Sequence, residues 1–476
     1  MPCYGHSTRI DPMIRLKQLF SPVLLFCIGG VIVWTTATGN GATTMLDADA
    51  QIVPGRLIDT VRCTADPTQS YAVYIPVRGG KEALPAVYFF DSHGAGSLPL
   101  RKYKALADAF GFILIGSNNS KNGNDWNTTE TIWRRLWEDT RQRLKINGAR
   151  VYTAGFSGGA KVAAFVAIQH PEIKGVVANG AGLPDGVSAG DFAFSLTAIA
   201  GEGDMNRSDL ISLDSELDKT RTRHRILFFE GKHEWAPGAT MRTAFIGWQL
   251  DAMEEKLLPR DEAFIRDWIA KSKGRVEVFI RDGRFIKAWQ ECRLSIKLLE
   301  GLADAGWFSQ KAASIEGNAV YRKQREQEER LLATEQNTKA EYMQHFQQPD
   351  MGYWQKTIDG LRVKAAARTA DGAMNQRLLA YLSLAFYSIS NQTINAGQNG
   401  AARHFTELYK LADPTNSEAW YFSAIVDARE GNRHAAQSDL QTAVKYGFND
   451  KRRLRQQPEF QQQHIDLSGV ESKMHP

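Results

Sequence analysis

Short, unbroken apolar runs alternate with amphipathic stretches over residues 56–257. The runs are SYAVYIPV (70–77), PAVYFFD (85–91), FILIGSN (112–118), RVYTAGF (150–156), GVVANGAG (175–182), SLTAIAG (195–201) and RILFFEG (225–231). Runs this short and continuous fit strands buried on both faces, as in a mostly parallel sheet. Between them, residues 103–110, 131–146, 158–169, 210–217 and 241–258 carry apolar positions at helical spacing. The alternation predicts an α/β domain built on a doubly wound sheet. Such sheets hold their sites at the carboxyl ends of strands, so polar residues just beyond the runs are the candidates for chemistry.

After residue 258 the strand pattern fades and an all-α region is expected, with a helical connector over 258–347 and a repeat-like domain over 348–460. RVEVFI (275–280) reads equally as a short strand or a helix segment. Residues 322–347 are highly charged and predict an exposed helix or spacer. Farther on, Trp420, Ala424, Gly431, Ala436, Leu440 and Ala443 recur with helix-turn-helix spacing that resembles the tetratricopeptide template. Tyr381, Ala385, Ala401, Phe405, Leu408 and Pro414 form a weaker upstream copy, with an insertion around residues 393–400. Two copies are fewer than the three that usually stand alone. Such helices either cap and shape the active site or present a groove to a protein partner. The tail, 461–476, is expected to be poorly ordered.

The N-terminal segment, 1–42, has a different character. Arg9, Arg15 and Lys17 precede an apolar run from 19 to 34, followed by small polar residues. That layout predicts a signal peptide and an exported protein, periplasmic or secreted. The alternative is an uncleaved anchor, and membrane contact is expected only in that case. Cys3 and Cys27 fall in or before this segment, which leaves Cys63 and Cys292 as a pair or as two separate thiols. No Cys or His spacing suggests a zinc site, and neither metal nor cofactor is called for. Over 476 residues the formal net charge is only +5. With no concentrated basic face, nucleic acid is excluded as a partner.

Candidate chemistry centres on GFSGG, which follows the apolar run 151–154 and places Ser157 between glycines. A strand that ends in Gly-x-Ser-x-Gly and turns at once into a helix is a nucleophile elbow, with the serine hydroxyl lifted clear at the top of the sheet. Serine is a poor nucleophile near neutral pH. It needs an imidazole to take its proton and a carboxylate to orient that imidazole. Asp204 follows the run 195–201, and His233 follows the run 225–231. Glu202 is the nearest rival for the acid; Asp214 and Asp218 lie in or at the end of a predicted helix. An oxyanion needs two backbone N–H donors. Gly158 supplies one, and the DSHGAG loop supplies the other from Gly94 or Ala95; His93 is expected to shape that loop.

HGAG, GFSGG, Asp204 and KHEWAP together resemble the α/β-hydrolase superfamily. SYAVYIP and GKHEWAP resemble secreted esterases of the polyhydroxyalkanoate-depolymerase and feruloyl-esterase type. The resemblance covers residues 56–257. It implies Ser157 as nucleophile, Asp204 as acid, His233 as base and an ester as substrate, small or polymeric. Phe156 is bulky before the serine, and HGAG is shorter than the usual glycine run. Asn118, Asn119, Lys121 and Asn122 follow a strand and are candidates for the pocket rim. Asn119, Phe156 and Trp235 are the candidate substrate contacts, with Trp126 a further aromatic. Two other readings share these residues: an α/β-hydrolase peptidase, and an inactive scaffold whose helices bind a partner.

Overall fold

In the computed structural model, residues 52–77, 82–348 and 350–474 are described. The signal or anchor segment lies outside them. Eight strands make one sheet: β1 (Ile58–Arg62), β2 (Ser70–Tyr74), β3 (Leu84–Phe90), β4 (Ile113–Ser117), β5 (Ile146–Phe156), β6 (Ile173–Asn179), β7 (Ser195–Gly201) and β8 (His224–Phe229), in the order β1-β2-β4-β3-β5-β6-β7-β8. β2 pairs antiparallel with β1 and β4, and every later pairing is parallel. This is the mostly parallel sheet of an α/β-hydrolase fold. The chain runs from β3 outward to β4, then returns to the other side of β3 as β5, so the strand order reverses at β3 and β5. Ligand sites in open α/β sheets form at such switch points.

Alternate strand residues feed two cores. The first five helices are α1 (Ser97–Phe110), α2 (Trp126–Arg143), α3 (Gly158–Gln169), α4 (Arg207–Leu217) and α5 (Gly238–Glu254). Tyr74, Val87, Phe89, Leu114, Tyr152 and Val177 face one way, against α1 and α5. Tyr71, Val73, Tyr88, Phe90, Val151 and Val176 face the other way, against α2, α3 and α4. Trp248 on α5 and Trp133 on α2 are fully buried. Asp125 caps α2 by accepting the Thr128 N–H at 2.7 Å. β1 was not expected: in IDTVR only Ile58 and Val61 are buried, so no apolar run marks it.

Three further helices, α6 (Glu262–Arg281), α7 (Phe285–Leu299) and α8 (Gly306–Glu316), pack successively and extend the core shared by α1 and α5 through Trp268, Val276, Leu298 and Phe308. RVEVFI lies inside α6. The buried residues there are Ile265, Trp268, Ser272 and Val276, a helical spacing that overrides the β-branched composition. Cys63 and Cys292 are both free thiols, buried in opposite cores, so they do not pair. Burial pushes each thiol up to about 12. No helix among the described residues is long and apolar enough to cross a membrane.

The described chain divides into two compact units, between Arg330 and Leu331. The division falls within helix α9 (Ala319–His345), so α6–α8 belong to the first unit and not to a separate connector. The second unit is all helical: α10 (Met351–Ala365), α11 (Ala370–Asn395), α12 (Asn399–Ala412), α13 (Ser417–Arg429), α14 (Arg433–Lys445), α15 (Lys451–Gln456), α16 (Pro458–Gln462) and α17 (Leu467–Glu471). Ala385, Phe405, Leu408, Ala424, Ala436, Leu440 and Ala443 are buried in its core. The expected insertion at 393–400 is the end of α11, a short link and the start of α12. The tail corrects its expectation too. α16 places Phe460 and α17 places Val470 in the core, and Met474 beyond α17 is buried there too, so apolar residues anchor the chain as far as residue 474.

Candidate active site

The site begins at the end of β5. Gly155 pairs with Phe90 of β3 and Ala178 of β6, so three strand ends meet at the turn. Ser157 has φ 56° and ψ −123°, a strained left-handed region for a residue with a side chain. Its N–H donates to the Asn179 carbonyl at 2.9 Å, which fixes the turn to β6. The flanking glycines are a steric necessity. A Cβ on Gly155 would lie 1.9 Å from the Gly159 carbonyl oxygen, and one on Gly159 would lie 2.0 Å from that of Phe90. Both obstacles are backbone. Gly155→Ala is therefore expected to lower stability by about 3 kcal/mol or more, measured as a drop in the denaturation midpoint; an unchanged midpoint would contradict this packing.

β7 and β8 deliver the partners. His233 Nε2 is 3.0 Å from Ser157 Oγ, and His233 Nδ1 is 3.0 Å from Asp204 Oδ1. A carboxylate facing Nδ1 favours the tautomer with the proton there, which leaves the Nε2 lone pair to accept the serine proton. Asp204 is fully buried, and its Oδ1 also accepts the Asn206 N–H at 2.9 Å. The rival carboxylates are engaged elsewhere. Glu202 binds Arg207 and Lys287. Asp214 and Asp218 gather with His224 in a metal-like cluster, but the Lys297 ammonium sits among them, 3.2, 3.0 and 2.7 Å from the three. That cluster already holds its cation.

The loop after β3 approaches from the other side. Gly94 has φ 73°, and its N–H donates to the Asp91 carbonyl at 3.1 Å. The Ala95 and Gly158 N–H groups have no acceptor among the described residues. Gly158 is the first residue of α3, where N–H groups have no intrahelical partner. Of the two donors left open by the sequence, Ala95 has the available hydrogen. The His93 side chain is 83% exposed, in keeping with a role in loop shape.

Several expected pocket residues are bonded within the protein. Trp235 is only 5% exposed; its indole N–H donates to Asp91 Oδ2 at 2.8 Å, so it ties the His233 loop to the Gly94–Ala95 loop. Asn119 uses both side-chain ends on backbone, accepting from Ser70 N–H at 2.8 Å and donating to the Thr68 carbonyl at 3.0 Å. Asn118 donates to the Asp59 carbonyl, Lys121 pairs with His93 in a backbone bridge, and Trp126 stacks on Phe165. Phe156 does border the site, with its ring 4.7 Å from the His233 imidazole. Asn122 is exposed and crowds Gly158: a Cβ there would meet Asn122 Oδ1 at 1.9 Å.

Two positioning residues escaped the sequence reading. Asn179, fully buried at the end of β6, accepts the Ala236 N–H at 2.7 Å and donates to the Glu234 carbonyl at 3.3 Å, so it holds the His233 loop from below. Asp91 accepts both the Trp235 indole and the His93 N–H, the latter at 2.9 Å. Burial opposes its charge, yet the bonds from His93 and Trp235 prevail and hold its carboxyl below the usual range. The visible signal for each is a polar residue closing an apolar strand run. A cleft of about 450 Å³ is lined by Phe264, Trp268, Phe279 and Arg242 and by none of Ser157, Asp204 and His233.

No protein-family model matches the chain, and no curated protein matches it. Among solved structures it is similar to FphF, a fluorophosphonate-binding serine hydrolase of Staphylococcus aureus, at 13% identity and a TM-score of 0.34, covering 41% of this chain and 99% of that one. It is also similar to an esterase of Pyrobaculum calidifontis, at 16% identity and a TM-score of 0.34, covering 43% and 86%. A truncated carbohydrate esterase from gut microbiota shows 13% identity and a TM-score of 0.35, covering 42% and 99%.

Proposed function

We propose that the protein is an exported serine hydrolase that cleaves carboxylic esters through an acyl-Ser157 intermediate. The observation that carries this reading is the Ser157–His233–Asp204 chain of hydrogen bonds, 3.0 Å at each link, assembled from the ends of three strands. Ser157 Oγ attacks the ester carbonyl as His233 Nε2 takes its proton. Asp204 stabilises the imidazolium that forms. The tetrahedral oxyanion is held by the N–H groups of Gly158 and Ala95. Collapse releases the alcohol, which takes the proton from His233, and water repeats the sequence to free the acid. Export rests on the basic and apolar pattern of residues 1–42.

Short-chain p-nitrophenyl esters and the matching p-nitroanilides separate the candidate substrate classes. The full chain is expected to hydrolyse the esters and to leave the anilides essentially intact. Faster turnover of the anilides would favour a peptidase, and turnover of neither would favour a scaffold.

A further inference from the structure

The loop that carries Asp204 is closed by charge across its own mouth. Glu202 and Arg207 flank Asp204 and bind each other, with Arg207 Nε 2.9 Å from Glu202 Oε2. The backbone follows suit: Asp204 N–H donates to the Gly201 carbonyl and Arg207 N–H to the Asp204 carbonyl, both at 3.0 Å. Each flank is then tethered outward. Glu202 also binds the Lys287 ammonium of α7. Arg207 Nη2 reaches Glu328 of α9 at 2.7 Å, and Glu328 in turn binds Arg325 at 3.0 Å. Arg207 is only 6% exposed and lies over the Phe228 ring, 4.8 Å from its centre. A guanidinium this buried needs both carboxylates, and removing one strands a charge.

We propose that Glu202 and Arg207 are positioning residues for the acid, and that Lys287 on α7 and Glu328 on α9 extend this positioning to those two helices. The proposal rests on the reading of Asp204 as the partner of His233. Burial by itself disfavours the Glu202 charge, but Arg207 and Lys287 outweigh that and keep the carboxylate ionised. The clamp is therefore in force across the neutral range. α7 and α9 thus act on the chemistry through Glu202 and Arg207, keeping the Asp204 carboxylate 3.0 Å from the imidazole.

Lys287→Met removes one tether while keeping the side-chain length. The full chain, labelled with 13C and 15N at histidine only, reports the His233 titration by NMR; His233→Gln assigns the resonance. Asp204 is bonded to the ring, and Lys232 and Glu234 flank it in sequence. Loss of a nearby cation acting through space would raise the His233 midpoint. A loosened Asp204 stabilises the imidazolium less and lowers it. The expected result for Lys287→Met is a lowered midpoint and a kcat reduced roughly 10-fold at unchanged KM, with Lys287→Arg restoring both. A midpoint that is unchanged or raised, even with a lower melting temperature, would overturn the proposal. If Lys287→Met does not fold, Lys287→Gln reads the same loss of charge. Should the wild-type protein cleave no ester, the hydrolase reading fails, while the His233 midpoint still decides the clamp.

Discussion

With Ser157 replaced by alanine, ester hydrolysis is expected to fall on the order of a millionfold in kcat, with no change in melting temperature. The nucleophile is the atom that forms the covalent intermediate, and no other hydroxyl is bonded to His233 Nε2 among the described residues. The backbone there is already held by the Gly155 and Gly159 contacts and by the Asn179 carbonyl. Alanine keeps the Cβ, so the strained φ of 56° is retained at no extra cost. Residual turnover comes from the oxyanion donors and substrate binding alone. Steady-state kinetics on a p-nitrophenyl ester checks this. A variant with kcat within about tenfold of wild type would point to another nucleophile, since losing a triad nucleophile costs far more.

Asp204→Asn is expected to lower kcat about 10,000-fold with little effect on KM. The substituted amide can donate to His233 Nδ1, which places the ring proton on Nε2 and removes the lone pair that faces Ser157 Oγ. The geometry survives while the acceptor is lost. Because Asp204 is fully buried, solvent cannot substitute for the missing charge. Single-turnover kinetics reads the acylation step directly. The same substitution at Glu202 is expected to act more weakly, since Glu202 binds Arg207 and Lys287 and not His233. If Glu202→Gln were the more damaging of the two, the assignment of the acid would be reversed.

Ser157, His233 and Asp204, which the structure brings within hydrogen-bond reach, were legible as candidates because each follows a buried strand, and strand runs are the strongest local signal in an α/β chain. The elbow glycines were legible because their spacing reports a close approach of backbone to backbone. What escaped was contact between loops distant in sequence. The Trp235–Asp91 bond and the Asn179 bonds to Glu234 and Ala236 join residues that no local pattern links, so Trp235 read as a pocket aromatic and Asn179 as an unremarked strand end. The choice between Gly94 and Ala95 needed the turn bond from Gly94 to Asp91. β1 and the tail helix α17 lack a long apolar run, and tertiary packing supplies the order that local propensity does not.

Reaction of the full chain with a fluorophosphonate, followed by peptide mapping of the adduct by mass spectrometry, tests the central claim most directly. The adduct should fall on Ser157, vanish in Ser157→Ala and form far more slowly in His233→Ala. An adduct on another residue, or labelling that persists in Ser157→Ala, would contradict an acyl-transfer site at this elbow.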